Sequence, residues 1–239
     1  AASETKTPEA VSVNPNLKYE IQGDAVTITG CAEDASGELI IPAIIEGKPV
    51  TSIGKRAFLQ CYSLTSITIP DGVTSIGDFA FSGCTSLTSI TIPDSVTSIG
   101  EAAFYRCTSL PTIEVSTGNA NYMNIEGVLF NKEKTLLHTY PAGKAGANYV
   151  IPDSVTSIGE KAFYRCTSLT SITIPDGVTS IGSMVFSRCD SLTSITIPDS
   201  VTRIENAAFY NSKSLTSITI GDGVTSIGDS AFSRCTSLT

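Results

Sequence analysis

A 23-residue period governs this chain. Residues 64–86 read LTSITIPDGVTSIGDFAFSGCTS and residues 87–109 read LTSITIPDSVTSIGEAAFYRCTS; residues 169–191, 192–214 and 215–237 repeat the pattern. Phe58, Phe81 and Phe104 stand 23 residues apart, as do Phe163, Phe186, Phe209 and Phe232. From Phe104 to Phe163 the step is 59 residues, so a long atypical unit lies at about 110–150. A chain that repeats itself at this period stacks like units along one axis instead of wrapping a single central core.

Each unit can be read physically. In Leu87-Thr88-Ser89-Ile90-Thr91-Ile92 the isoleucines two apart share one face and Ser89 and Thr91 the other, which predicts a short strand with one buried side. Pro93 cannot donate to a ladder and ends the strand, and Asp94-Ser95 (Asp-Gly in other units) makes a turn. Val96 and Ile99 form a second, shorter apolar run, and Gly100-Glu101-Ala102-Ala103-Phe104 predicts a single helical turn that plugs Ala and Phe into the core. One unit cannot bury its apolar side alone, whereas stacked units can, with neighbouring strands ~4.8 Å apart. With 41% apolar and 16% charged residues, the composition supplies that continuous core and excludes general disorder.

The unit LxxIxIPxxVxxIGxxAFxxCxS, with Leu87, Ile90 and Ile92 in its first half, resembles the BspA-like, Treponema-type leucine-rich repeats of bacterial surface proteins. It departs from the commonest leucine-rich repeat where an Asn ladder would fall, since Ser95, Gly72 and Gly177 stand there. The likeness spans roughly residues 17–239. It implies an α/β-type, β-rich leucine-rich-repeat solenoid, right-handed and curved, with a parallel sheet on its concave side and short helical turns. It also implies an extracellular or cell-surface location in host-associated bacteria, and adhesion to matrix proteins or other cells.

Residues 1–16 read as a flexible tether, small and polar and without the apolar core of a secretion signal. Residues 17–50 read as an N-terminal cap, with a hairpin of Leu17–Ile21 against Ala25–Gly30 covering the open apolar end of the first repeat. Residues 51–239 hold the repeats. Within the atypical unit, Gly127-Val128-Leu129-Phe130 and Thr135-Leu136-Leu137-His138-Thr139-Tyr140 flank a polar turn, predicting a hairpin that projects from the solenoid or thickens it. The chain stops at Ser237-Leu238-Thr239, the first residues of another repeat, without a cap signal, so end-to-end self-association through that edge is an expectation.

Several function classes are disfavoured. The net charge of −8 repels phosphate backbones, which argues against nucleic acid as a partner. No apolar run approaches the ~20 residues of a membrane-spanning helix. The single histidine, His138, has no nucleophile motif near it, every Gly recurs at a turn of the repeat, and no cofactor-binding motif is present; these features point away from an enzyme.

The candidate binding surface is the outward side of the long strands, where Ser66, Thr68, Ser89, Thr91, Ser171, Thr173, Ser194, Thr196, Ser217 and Thr219 tile one face with hydroxyls. The second candidate is the inserted hairpin with Phe130, His138 and Tyr140, because insertions into repeats often carry binding. The partner expected is a host or cell-surface macromolecule. A structural stalk without its own ligand is the main alternative, and a carbohydrate module using Tyr105, Tyr164 and Tyr210 is a third.

Other recurrent groups read as scaffold. Cys61, Cys84, Cys107, Cys166, Cys189 and Cys235 lie three residues after the repeat aromatic, with Ser212 once in that slot. Spacing of a whole repeat suits buried thiols, not zinc ligands, which come in close pairs. Cys31 falls outside this ladder and is the thiol to watch for reactivity. The row Asp71, Asp94, Asp153, Asp176, Asp199 and Asp222 could attract calcium, but Asp is the ordinary residue for such turns. Arg106, Arg165, Arg188 and Arg234 precede the cysteines and are expected to pair with neighbouring acids on the outer surface.

Overall fold

The structure, a computed structural model, describes residues 13–239 as a β-solenoid whose coils have three sides. Most of the expected N-terminal tether therefore lies outside the described residues. Within a regular coil, a long strand is followed by a short strand and then by a run of turns. Each of the three sides carries its own ladder of main-chain hydrogen bonds to the adjacent coil.

On the long-strand side the pairing is parallel at a one-repeat offset, with Ser171, Ser194 and Ser217 in register, as are Thr173, Thr196 and Thr219. Two four-stranded sheets form this side. One contains Ser36–Ile40, Ser63–Thr68, Ser89–Ile92 and Glu114–Val115; the other contains Asn148–Val150, Ser171–Thr173, Ser194–Ile197 and Ser217–Ile220. The inward isoleucines Ile67, Ile90, Ile172 and Ile195 are buried. Threonine stands before the long strand in the regular coils for a physical reason: Thr88 donates both its N–H (2.9 Å) and its hydroxyl (3.1 Å) to the Thr65 carbonyl. The same pairing links Thr193 to Thr170 and Thr216 to Thr193.

The short strands, such as Ser75–Ile76 and Ser98–Ile99, form the second side. Its N-terminal sheet begins with the antiparallel hairpin Leu17–Gln22 and Ala25–Cys31, followed by Lys48–Ile53. A small hairpin absent from the sequence reading pairs Ile44–Ile45 with Lys48–Ile53. Its two-residue loop, Glu46-Gly47, has φ of 49° and 77°, the doubly left-handed geometry that matches strand twist in tight hairpins.

The third side corrects the expected helical turns: no helix forms there. Two residues per coil, four apart, are left-handed, as at Ala102 (φ 52°) and Arg106 (φ 63°), and again at Lys161 and Arg165, Met184 and Arg188. A left-handed residue every four positions cannot propagate a right-handed helix. Instead the main chain alternates. Ala57, Leu59 and Cys61 donate back three residues along the chain, while Arg56, Phe58 and Gln60 donate to the Asp78, Ala80 and Ser82 carbonyls of the next coil. Donors that a helix would use internally here join neighbouring coils. This holds each repeat phenylalanine over the next, with Phe58–Phe81 and Phe81–Phe104 ring centroids both 5.4 Å apart.

The atypical unit resolves into two coils. Tyr140 stacks on Phe163 at 5.1 Å and its N–H donates to Ala162, so it holds a phenylalanine position 23 residues before Phe163. The expansion therefore falls between Phe104 and Tyr140, a step of 36 residues instead of 23. It is a three-stranded antiparallel unit of Tyr122–Ile125, Val128–Asn131 and Leu136–Thr139, and the last strand pairs parallel with Ser157–Ile158. The middle strand is buried on both faces. Leu129 packs into the N-terminal core, and Val128 and Phe130 pack into the C-terminal core. The insertion thus partitions the solenoid from within.

Candidate functional site

The ten outward Ser and Thr residues line up in two columns on the long-strand side, divided by the insertion. The N-terminal half carries Glu38, Ser66 and Ser89 in one column and Ile40, Thr68, Thr91 and Glu114 in the other. The C-terminal half repeats this arrangement with Asn148, Ser171, Ser194 and Ser217 beside Val150, Thr173, Thr196 and Thr219. Each threonine column is headed by an exposed β-branched apolar residue, Ile40 (64%) or Val150 (66%). Among the ten hydroxyl residues only Ser171 is bonded within the described chain, donating to Asn148 Oδ1 at 2.7 Å. The other hydroxyls are free to meet a partner.

Two shallow grooves lie over these columns. The C-terminal groove, about 450 Å³, takes in Ser171, Thr173, Ser194, Thr196 and Thr219 with Asp176 and Asp199 at its rim. The N-terminal groove, about 330 Å³, takes in Ser66, Thr68, Ser89 and Thr91 with Glu38 and Asp71. Ser217 lines neither. In the carboxylate row Asp199 Oδ1 accepts the Asp222 N–H of the next coil at 3.0 Å, and outside that row Asp78 Oδ1 likewise accepts the Glu101 N–H at 3.1 Å.

Of the two placements expected for the inserted hairpin, projecting from the solenoid or thickening it, the strands lie within the core and do not project. Phe130 is fully buried and Tyr140 nearly so, both because they fill core positions, so neither can be presented to a ligand. His138 closes a seam. The N-terminal short-strand sheet ends at Ser98–Ile99, and among the described residues no strand pairs with that edge. There the Tyr122 hydroxyl accepts the Ile99 N–H at 2.8 Å, and His138 Nε2 lies 3.3 Å from the Ile99 carbonyl. Burial holds the His138 pKa below its ordinary value, against the opposing pull of the Ile99 and Gly100 carbonyls. A neutral imidazole bonding a backbone carbonyl is the state this site selects.

The repeats match the model of the BspA type leucine rich repeat region in six copies, over residues 41–141 and 142–239. The chain belongs to the BspA-type leucine-rich repeat family. Among solved structures it is similar to a leucine-rich repeat protein from Eubacterium ventriosum, at 28% identity and a TM-score of 0.65, over 95% of this chain and 76% of that one. It is also similar to a leucine rich cell surface protein from Faecalibacterium prausnitzii, at 25% identity and a TM-score of 0.62, over 95% and 93%. The pneumococcal vaccine antigen PcpA shares the fold at 20% identity and a TM-score of 0.62, over 95% and 85%. No curated protein matches the chain.

As a BspA-type solenoid, the chain uses its recurrent polar groups chiefly to join coils. Cys84, Cys107, Cys189 and Cys235 each direct Sγ at the carbonyl of the preceding coil's phenylalanine, at 3.0–3.2 Å. Ser212 makes the same bond to Phe186 at 2.8 Å, which explains why serine can replace cysteine in that slot. The arginines before the cysteines are in no ion pair among the described residues, contrary to the expectation that acids would hold them. Arg234 instead lies over the Tyr210 ring at 5.4 Å. Tyr105 and Tyr164 pack on each other at 4.3 Å across the insertion, so these tyrosines do not form an open platform for sugar rings.

One residue that sequence reading passed over is central to the insertion. Asn119 is fully buried and makes four bonds: Nδ2 donates to Pro93 O (2.6 Å) and Val96 O (3.0 Å), and Oδ1 accepts from Asn121 N (2.8 Å) and Tyr122 N (2.7 Å). In regular coils a serine does part of this work, as Ser95 donates to Val73 O at 2.6 Å. An Asn 23 residues after Val96, where regular units carry no Asn, is the signal that could have found it.

Proposed function

We propose that this protein is a non-catalytic, surface-exposed binding scaffold of a host-associated bacterium, engaging a macromolecular partner along its long-strand face. The observation that carries the reading is the registered double column of hydroxyls, all but Ser171 unbonded and all but Ser217 lying in two grooves of similar build. Shallow, regular, hydroxyl-lined surfaces with acidic rims suit a broad polypeptide or cell-surface partner better than a small molecule, which would be enclosed in a concave, mostly apolar site. The name of the F. prausnitzii neighbour as a cell surface protein supports the location. Among the described residues no helix is long and apolar enough to cross a membrane.

The test is a binding screen of the chain against host matrix proteins and cell-surface glycans, with Thr91→Arg and Thr173→Arg placing bulk in one groove each. Saturable binding that survives moderate salt and is lost in one or both variants supports the scaffold. Binding that both variants retain removes the long-strand face as the site. Silence throughout favours a stalk that displays other parts of a longer protein.

A further inference from the structure

The third side of the coil, the side of turns, is charged against the trend of the whole molecule. In a chain of net charge −8, the four residues after each repeat aromatic bring Arg106, Lys144, Arg165, Arg188, Lys213 and Arg234 against one acid, Asp190. Main-chain bonds set their order. The Arg165 N–H donates to the Ser187 carbonyl at 3.0 Å, Arg188 to Tyr210 at 2.8 Å and Asn211 to Ser233 at 2.8 Å. Positions 165, 188, 211 and 234 therefore stack as one column, with ~4.8 Å from coil to coil. Arg106 extends the row across the insertion, because Arg106 and Arg165 directly follow the Tyr105 and Tyr164 that pack at 4.3 Å.

Two observations set this row apart from scaffold. The column is left-handed, with φ between 58° and 62° from Arg165 to Arg234. Glycine and asparagine take that conformation most readily, and Gly83 and Asn211 hold it in their coils. Arginine holds it elsewhere at a conformational cost that those residues avoid. No acid neutralises the row either. Among the described residues none of Arg106, Arg165, Arg188 and Arg234 is in an ion pair, Glu160 is held by Lys161 at 3.1 Å, and Asp190 has one carboxylate oxygen buried. Arg106 and Arg234 are exposed, and Arg165 and Arg188 are half-buried.

We infer that this row is a docking ribbon for a sulfated polysaccharide, which lies along the solenoid axis and is held through its sulfate groups. A guanidinium offers paired N–H donors to an oxyanion, and a stiff chain with sulfates on successive sugars meets a row of cations fixed at coil spacing. An extended acidic polypeptide fits less well. Its same-face side chains recur every ~6.8 Å, out of step with coils ~4.8 Å apart. Proteins that bind single-stranded nucleic acid add open aromatic faces for the bases. Here Tyr105 and Tyr164 pack on each other and Tyr210 lies under Arg234. Charge on the other sides of the coil is screened over about 8 Å at physiological salt, so contact is governed by the row itself. The ribbon is on a different side from the hydroxyl columns and does not depend on them.

The experiment titrates the chain at moderate salt with a heparin oligosaccharide, its desulfated counterpart, polyglutamate and oligothymidylate. Heparin should bind saturably and more weakly as salt rises, and the other three should bind far less. The double variant Arg165→Asn/Arg188→Asn should lose on the order of tenfold in heparin affinity. Its thermal melt should be unchanged, since Asn211 already occupies this column. Arg234→Asn, at an exposed position, should lose severalfold by itself, so the test does not depend on the double variant folding. Arg203→Ala removes the same charge from the short-strand side and Thr173→Ala alters the long-strand face; both should bind heparin as the wild type does. Absence of heparin binding overturns the inference, as does equal binding of the desulfated chain, polyglutamate or oligothymidylate. So do folded column variants that keep full affinity, or an Arg203→Ala loss as large as theirs.

Discussion

Replacing Asn119 by alanine should weaken the molecule at its insertion more than any comparable surface change. The side chain holds two carbonyls of the preceding coil and two N–H groups of its own turn at 2.6–3.0 Å. Asn121 is exposed, so its N–H recovers a water partner, and Tyr122 is half-buried. The Val96 carbonyl sits on a buried residue and would be left without a donor, whereas the Pro93 carbonyl keeps the Val96 N–H at 3.2 Å. At about 1–3 kcal/mol for the stranded carbonyl and about 0.5–1.5 kcal/mol for the other bond lost to the preceding coil, the loss sums to about 1.5–4.5 kcal/mol. Ser95→Ala removes one half-buried bond in a regular coil and should cost about 1 kcal/mol.

Urea unfolding followed by circular dichroism measures both variants, and hydrogen exchange locates the damage. The amides of Ile99 and Tyr122 should exchange faster in Asn119→Ala, while those of Ile195 and Phe209 stay protected. Asn119→Asp adds a signed check. A carboxylate facing two carbonyls has a raised pKa, so this variant should regain stability relative to Asn119→Ala as pH falls through that value and a proton is restored to the contact. A midpoint for Asn119→Ala no lower than that of Ser95→Ala would refute the reasoning.

Three further outcomes follow from the same geometry. His138 is the one histidine and its folded pKa is depressed below 6.5, so its contribution is intact above that value and is lost as pH falls through the folded pKa. Between about pH 7 and about pH 5 the wild-type urea midpoint should drop more than that of His138→Gln, and parallel curves would exclude the histidine. Ala207 is left-handed (φ 55°) and Ala208 is not, so Ala207→Gly should be neutral or slightly stabilising, whereas Ala208→Gly should cost up to about 1 kcal/mol; equal losses in thermal melts would favour a helix there. Tyr140→Phe should leave stability and binding unchanged, while Tyr140→Ala should cost about 3–5 kcal/mol by opening a cavity in the aromatic stack; stable folding of the alanine variant would place Tyr140 outside the core.

The repeat was legible because identical side chains recur in phase, and stacking in register turns that phase directly into three ladders. The helical turn was misread because Glu101-Ala102-Ala103 has helix-forming composition, while its main-chain conformation is set by partners on adjacent coils. Ala102, Lys161 and Met184 take left-handed φ without a glycine to announce it. Two other features were present but unused. Tyr140 lies in phase with Phe163, and Val128-Leu129-Phe130 is a continuous apolar run of the kind that marks a strand buried on both faces.

The insertion connects these points to function. In a solenoid each coil leans only on its neighbours, so overall rigidity is that of the weakest junction. Here the long-strand sheet is interrupted between Glu114–Val115 and Asn148–Val150, and the Phe column restarts at Tyr140. Main-chain bonds from Ile113 to Gly127 and from Gly143 to Leu110 cross the junction, and side chains add to them: Asn119 on the turn, Tyr122 and His138 on the open strand edge, and Tyr105 against Tyr164 outside. Side-chain contacts adjust to small displacements more readily than a registered main-chain ladder, which must keep its bonds or lose them. The two grooves stand on separate sheets and are joined through this seam. A partner long enough to occupy both would meet rigid hydroxyl columns at either end and settle its fit at the insertion, so weakening that seam should change binding across the pair of grooves while leaving each groove intact.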